Sequence, residues 1–192
     1  MRGRRSRWWR WAGLLGLVGL VGGVWWLSQG QRSRRYDRLL RRAAVTHQLP
    51  PALVKAVVWR ESRFTPGARG RHGELGLMQL TETAAQEWAD SRGDAGFRHE
   101  HVLDPQTNAL AGCYYLAKVR RRYTRTDDPW VYALADYNAG RGNVRRWMTG
   151  PAATNSTHFL AAITFPSTRE YVRAIFARRP LYEGDFAAAA GE

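Results

Sequence analysis

Glu61 stands where a carboxyl group could be put to chemical use. It closes an apolar stretch, with Val57, Val58 and Trp59 before it and Phe64 after it, so its carboxyl is expected to lose part of its water. Desolvation raises a carboxyl pKa, and an acid still protonated near neutral pH is what cleavage of a glycosidic bond requires. On Glu61 alone, an exposed glutamate paired with Arg60 or Arg63 is the simpler reading. Its company shifts the balance. A small-residue turn, Gly76-Leu77-Met78-Gln79, and a polar cluster, Ala135-Asp136-Tyr137-Asn138-Ala139-Gly140, follow in the order and spacing of a glycan-cleaving cleft.

Rival chemistries are weaker. His99-Glu100-His101 is a lone triplet without HExxH spacing, so no metal is expected. Cys113, the single cysteine, falls on the inward stripe of an expected helix, where a free thiol packs as a small hydrophobe. Nucleic-acid binding would rest on Arg120-Arg121-Arg122 and Arg145-Arg146, which read more simply as solvated helix ends. No nucleic-acid partner and no cofactor are expected.

The elements that position these residues read as almost entirely helical. Arg35 to His47 carries Leu39, Leu40, Ala43 and Ala44 at helical spacing. Pro50-Pro51 opens the next helix, which runs from Ala52 through Ser62. Gly67, Gly70 and Gly73 break the chain into a loop, and Thr81 or Thr83 caps a helix reaching Trp88. Asp104-Pro105 starts a long helix to Tyr123 with Leu110, Cys113, Leu116 and Ala117 inward. Helices over Pro129 to Asn138, Asn143 to Met148 and Thr168 to Arg178 complete the expectation. No β-alternation occurs, and the tail from Asp185 reads as disorder or a frayed helix end.

The chain of 192 residues carries a formal charge of +14, yet residues 1–42 hold eleven arginines and one acid, leaving only +4 for the remainder. The basicity flanks an uncharged run, Trp11 to Leu27, edged by Trp8, Trp9, Trp25 and Trp26. Such a run is short for the ~20 residues of a bilayer span, and interfacial tryptophans extend its reach. Arg2, Arg4, Arg5, Arg7 and Arg10 favour an inside N-terminus. The reading is a basic segment over 1–10, a single transmembrane anchor over 11–27, a linker over 28–35, a catalytic domain over 36–182 and a flexible tail over 183–192. A cleaved signal peptide is the rival to the anchor; either way the domain is exported across the cytoplasmic membrane to the periplasmic, extracytoplasmic side.

Several blocks resemble the signatures of soluble-lytic-transglycosylase-type (SLT) catalytic domains, relatives of goose-type lysozymes: Glu61 to Ala68, Gly73 to Leu80 and Ala133 to Gly140, with Asp104-Pro105, Asn108 and Gly112 to Leu116, and Phe165 to Val172. The match spans about Arg35 to Tyr182. The resemblance implies a mainly α, lysozyme-like domain that cleaves the MurNAc–GlcNAc β-1,4 bond of peptidoglycan strands without consuming water. Glu61 would be general acid and then base. The substrate's N-acetyl carbonyl would stabilise the cationic centre, and its 6-hydroxyl would close a 1,6-anhydro ring.

The same resemblance implies substrate-binding roles for Ser62, Gly76, Met78, Gln79, Tyr137, Asn138 and Tyr171. Ser62 bonds near Glu61 or caps its helix. Gly76 lets the backbone approach the glycan or turn sharply, and Met78 and Gln79 line the cleft. Tyr137 places its hydroxyl against Glu61 or the N-acetyl group, Asn138 serves the turn or the substrate, and Tyr171 stacks on a sugar or packs in the core. The chain departs from the family pattern at Gly70, Glu74, Glu82, Asp136 and Ser167. A second carboxylate ~6.5–9.5 Å from Glu61 would permit hydrolysis. Glu74, in a glycine-rich loop, and Asp136, beside an outward helix face, are expected to point elsewhere. A hydrolytic muramidase and a non-catalytic wall-binding scaffold are the alternatives.

Overall fold

Prolines and short polar caps set where the helices of this chain begin. The computed structural model describes residues 32–187, and the chain divides into two units, 1–36 and 37–192. Of the first, residues 32–35 are helical. The expected anchor over 11–27 lies outside the described residues, among which no helix is long and apolar enough to cross a membrane.

Among the described residues the second unit is all helix and loop. Helix α1 covers Asp37–Thr46 and α2 Pro51–Ser62. Helix α3 covers Glu82–Asp90 and α4 Pro105–Arg120. They are followed by α5 (Pro129–Ala139), α6 (Arg141–Trp147), α7 (Ser156–Ala162), α8 (Pro166–Arg178) and α9 (Pro180–Ala187). Short 3-10 turns cover His99–Leu103, Arg121–Tyr123 and Gly150–Ala153. Among the described residues there is no strand, only two isolated bridges, from Leu75 to Arg69 and to Leu80. The fold is thus mainly helical.

Local chemistry explains the starts. The Thr81 side chain accepts from the Ala84 N–H, and Asp104 accepts from that of Thr107 with Pro105 at the first helical position, each satisfying a donor that has no partner inside its helix. Glu82 opens α3, where a negative side chain suits the positive end of the helix dipole.

Helix α2 lies at the centre. Every residue from Ala52 to Val58 is buried, which fits a helix apolar on nearly all faces. It packs against α1, α8 and α9, while α4 packs against α1, α3 and α5. Lys55, fully buried within α2, pairs with Asp37 of α1 and, at 2.7 Å, with Asp185 of α9. The Tyr182 ring lies 4.9 Å from the same ammonium.

Two findings correct the expectation. The chain does not loosen at residue 183: α9 continues to Ala187, held by Asp185 and by the buried Tyr182. Helix α7 was not expected at all; Asn155 caps it, and its Phe159 stacks on Tyr132 with ring centres 4.1 Å apart.

Candidate active site

Glu61 is the penultimate residue of α2. There the helix ends abruptly: Arg63 and Phe64 take left-handed φ of 52° and 61°, values costly for residues with a side chain. The Arg63 N–H caps the Trp59 carbonyl, and the chain turns away, leaving Glu61 half-buried at a corner. The hydroxyl of Tyr171, from α8, donates to Oε1 of Glu61 at 2.6 Å.

Burial dominates the electrostatics and pushes the Glu61 pKa up to about 7. The Tyr171 hydrogen bond and the charge of Arg60 pull the other way, and the charge of Glu74 adds to the rise. The result is a carboxyl group that is half protonated near neutrality, the state from which one residue can serve as acid and then as base.

Facing it is the loop from Ala68 to Leu80, and its backbone is clamped from several sides. Leu75 and Leu80 exchange N–H···O bonds at 3.0 Å, and the Gly76 N–H donates to the Ala68 carbonyl at 2.9 Å. Ser62 reaches the Leu77 carbonyl at 2.8 Å, and the Tyr137 hydroxyl reaches that of Met78 at 2.8 Å. The Gln79 amide donates to the carbonyls of Gly76 (2.8 Å) and Ala68 (3.2 Å). Gly76 has φ +81°, and a Cβ there would collide with the Asn108 side-chain amide and lie 2.6 Å from the Val102 carbonyl. Both the turn and the close approach therefore require glycine.

Each residue expected at the site has a definite place. Ser62 joins the end of the helix to the loop, with a longer reach of 3.3 Å to its own Val58 carbonyl. Met78 presents only backbone: its side chain is fully buried against Gly112, so it backs the loop instead of lining its surface. Tyr171 is 1% exposed, which leaves its ring closed to a sugar and its hydroxyl committed to Glu61. Burial, and after it the nearby charge of Glu61, push the pKa of the Tyr137 hydroxyl well above its ordinary value. Asn138 is exposed and accepts from Thr168 at 2.8 Å, fastening α5 to the start of α8.

The two extra carboxylates separate. Asp136 is not beside an outward face; it is 1% exposed and accepts from Arg122 at 2.9 Å and from the Tyr123 hydroxyl. Glu74 accepts from the His72 N–H at 3.0 Å, and its carboxylate fills the space a side chain at Gly70 would need. Two departures from the family pattern are in this way one feature: the missing side chain at 70 makes room for the added acid at 74.

Asn108 was singled out in the sequence as part of a block, without a role. Fully buried on α4, it accepts from the Met78 N–H at 2.8 Å and donates to the carbonyls of Leu75 (2.9 Å) and Val102 (2.8 Å). A buried amide must satisfy both ends, and this one does so by holding the loop that faces Glu61. Its signal was an Asn on the apolar face of a helix. Cys113 is buried on α4, and burial raises its thiol pKa. The His99 ring bonds the Leu80 carbonyl at 2.9 Å.

Known proteins are similar to this chain in sequence and fold. A family model described as "Transglycosylase SLT domain" matches residues 38–160. The membrane-bound lytic murein transglycosylase F of Desulfosudis oleivorans is 37% identical over 114 residues, 58% of this chain and 23% of that protein. The soluble lytic murein transglycosylase of Escherichia coli K12 is 30% identical over 149 residues, 77% of this chain and 23% of that one. Among solved structures, an inactive glutamate-to-glutamine mutant of the lytic transglycosylase Slt from Pseudomonas aeruginosa superposes with a TM-score of 0.71 at 28% identity, over 79% of this chain and 24% of that one. A 70-kDa soluble lytic transglycosylase in complex with bulgecin A gives 0.74 at 26% identity, over 95% and 29%. The chain spans about a quarter of the length of these relatives.

Proposed function

Because this chain belongs to the SLT transglycosylase domain family, we propose that it is a peptidoglycan lytic transglycosylase that cuts the MurNAc–GlcNAc β-1,4 bond with Glu61 as its only proton-transfer residue. The observation that carries the reading is the half-buried Glu61 carboxyl, held by Tyr171 and poised near neutrality. Protonated Glu61 gives its proton to the bridging oxygen as the C1–O bond breaks, and the substrate's N-acetyl carbonyl oxygen closes on C1. The resulting carboxylate then takes the proton of the 6-hydroxyl, whose oxygen displaces the N-acetyl oxygen at C1. The products are a free 4-hydroxyl and a 1,6-anhydro ring, and no water is consumed. An internal nucleophile has a high effective concentration, so no second carboxylate is needed to hold a water.

Support comes from the partners of the other acids. Asp136 is committed to Arg122 and Tyr123. Glu74 is the one further acid whose charge reaches Glu61, and it is the specific observation that favours hydrolysis as a second reading. The name of the Pseudomonas structure, an inactive glutamate-to-glutamine mutant, accords with dependence on one glutamate.

The uncharged run over 11–27 with its arginine flank supports a single-pass tether holding the domain on the outer face of the cytoplasmic membrane. One similar protein is itself named membrane-bound. Glu61→Gln in a wall-lysis assay tests the catalytic assignment: lysis is expected to vanish while wall binding persists, and undiminished lysis would contradict it.

A further inference from the structure

Helix α1 and the residues just before it carry a dense run of positive charge. Residues 32–46 hold six arginines and one acid. That acid, Asp37, is committed to the buried Lys55, and Asp104 at the start of α4 is committed to Thr107. Arg38 and Arg42 are exposed one turn apart on α1, and among the described residues no carboxylate oxygen comes within 4 Å of either. Val45, 61% exposed, follows Arg42 by three residues and so shares its face.

Between α1 and α4 runs a groove of about 280 Å³. Leu39, Ala43 and Leu110 supply its apolar lining, while Arg38, Arg42 and Gln106 supply the polar part. A free phosphate would use the guanidinium groups and leave the leucines wet. An anionic phospholipid uses both, its headgroup meeting the arginines and its acyl region the apolar lining.

The position in the chain favours the same occupant. Helix α1 begins ten residues after Leu27, the end of the uncharged run, so even a fully extended linker keeps its start within about 35 Å of that run. Docking at such a membrane is intramolecular, at an effective concentration of the order of millimolar. A site of modest intrinsic affinity is then enough, and each arginine near an anionic surface strengthens binding about fivefold.

We propose that the groove between α1 and α4, flanked by Arg38 and Arg42, docks the domain on anionic phospholipids of the membrane that carries its anchor. The inference rests on the tether reading and adds a second contact to it, which holds the domain against the bilayer and confines cutting to glycan near the membrane surface.

The test places the full chain, with an environment-sensitive fluorophore on Val45→Cys, in lipid discs of phosphatidylcholine alone or mixed with phosphatidylglycerol. Cys113 is fully buried and stays unlabelled. Quenching by nitroxide-bearing lipid should be at least about threefold stronger in the anionic discs. Arg38→Gln with Arg42→Gln, both at exposed positions, should lower the docked-to-undocked ratio about tenfold or more, and the paired lysine substitutions should retain most of it. Equal quenching in the two discs, or unchanged quenching in the glutamine variant, overturns the docking. A response to soluble peptidoglycan fragments in neutral discs, with none to anionic lipid, assigns the groove to the wall and overturns it as well. A chain that leaves discs of both compositions once detergent is removed overturns instead the tether reading on which the inference rests.

Discussion

The hydroxyl of Tyr171 meets Oε1 of Glu61 at 2.6 Å across the junction of α2 and α8. The donor is buried to 1% exposure and the acceptor sits at a helix end that burial has made hard to ionise. One hydrogen bond therefore both aims the carboxyl and limits how far its pKa climbs.

Removing that bond should separate the two effects. The hydroxyl favours the ionised form of Glu61, so Tyr171→Phe raises its pKa above about 7. Glu61 then stays protonated to higher pH, and if it is the proton donor the alkaline limb of kcat/KM moves upward. Loss of aim should lower kcat about tenfold or more. A pH–rate profile of the variant beside the wild type checks both.

Glu61 also imposes a pH-dependent cost on stability. Its folded pKa, about 7, lies above the unfolded value near 4.5, so the folded state binds more protons between those values. Stability is intact below about pH 4.5 and is lost progressively as pH rises through 7. Glu61→Gln abolishes the titration, and the variant should exceed the wild type by about 3 kcal/mol at pH 8. Denaturant unfolding at pH 5 and pH 8 measures the difference, which should shrink toward the acid side.

The loop opposite Glu61 depends on one amide. Asn108→Ala leaves the Met78 N–H and the Leu75 and Val102 carbonyls without their partner. A loss of about 2–4 kcal/mol is expected, with activity falling further than stability alone explains. Gly76→Ala should match it by forcing the same side chain aside. Thermal unfolding together with wall lysis reports the pair.

Helix α9 carries a stability prediction of its own. A chain stopped after Tyr182 loses Asp185, leaving the fully buried Lys55 with Asp37 as its remaining ion-pair partner. Unbalancing a buried charge destabilises by about 3 kcal/mol. Asp185→Asn should reproduce much of the drop in Tm, and an unchanged Tm in both would refute the role given to this ion pair.

Helix starts were legible because their signals are local: Pro50-Pro51, Thr81 and Asp104-Pro105 each satisfy or avoid a backbone donor within a few residues. Glu61 was legible from its apolar neighbours and from its spacing to the two downstream clusters. What escaped depends on distant partners. Helix α9 is held by Lys55, 130 residues earlier, and α7 by the stacking of Phe159 on Tyr132. Asp136 was expected beside an outward helix face; α5 is buried on most sides, and Arg122 and Tyr123 supply the compensation. The Met78 side chain was expected on the surface where only its carbonyl is used.

The central claim is non-hydrolytic cleavage by one carboxyl, and the mass of the products tests it most directly. Glycan fragments released from purified peptidoglycan by the full chain in detergent are weighed beside those from Glu61→Gln. Fragments one water lighter than hydrolytic ones, absent with the variant, are the predicted result. Fragments of full hydrolytic mass with reducing ends would contradict it and turn attention to Glu74, the second acid whose charge is felt at Glu61.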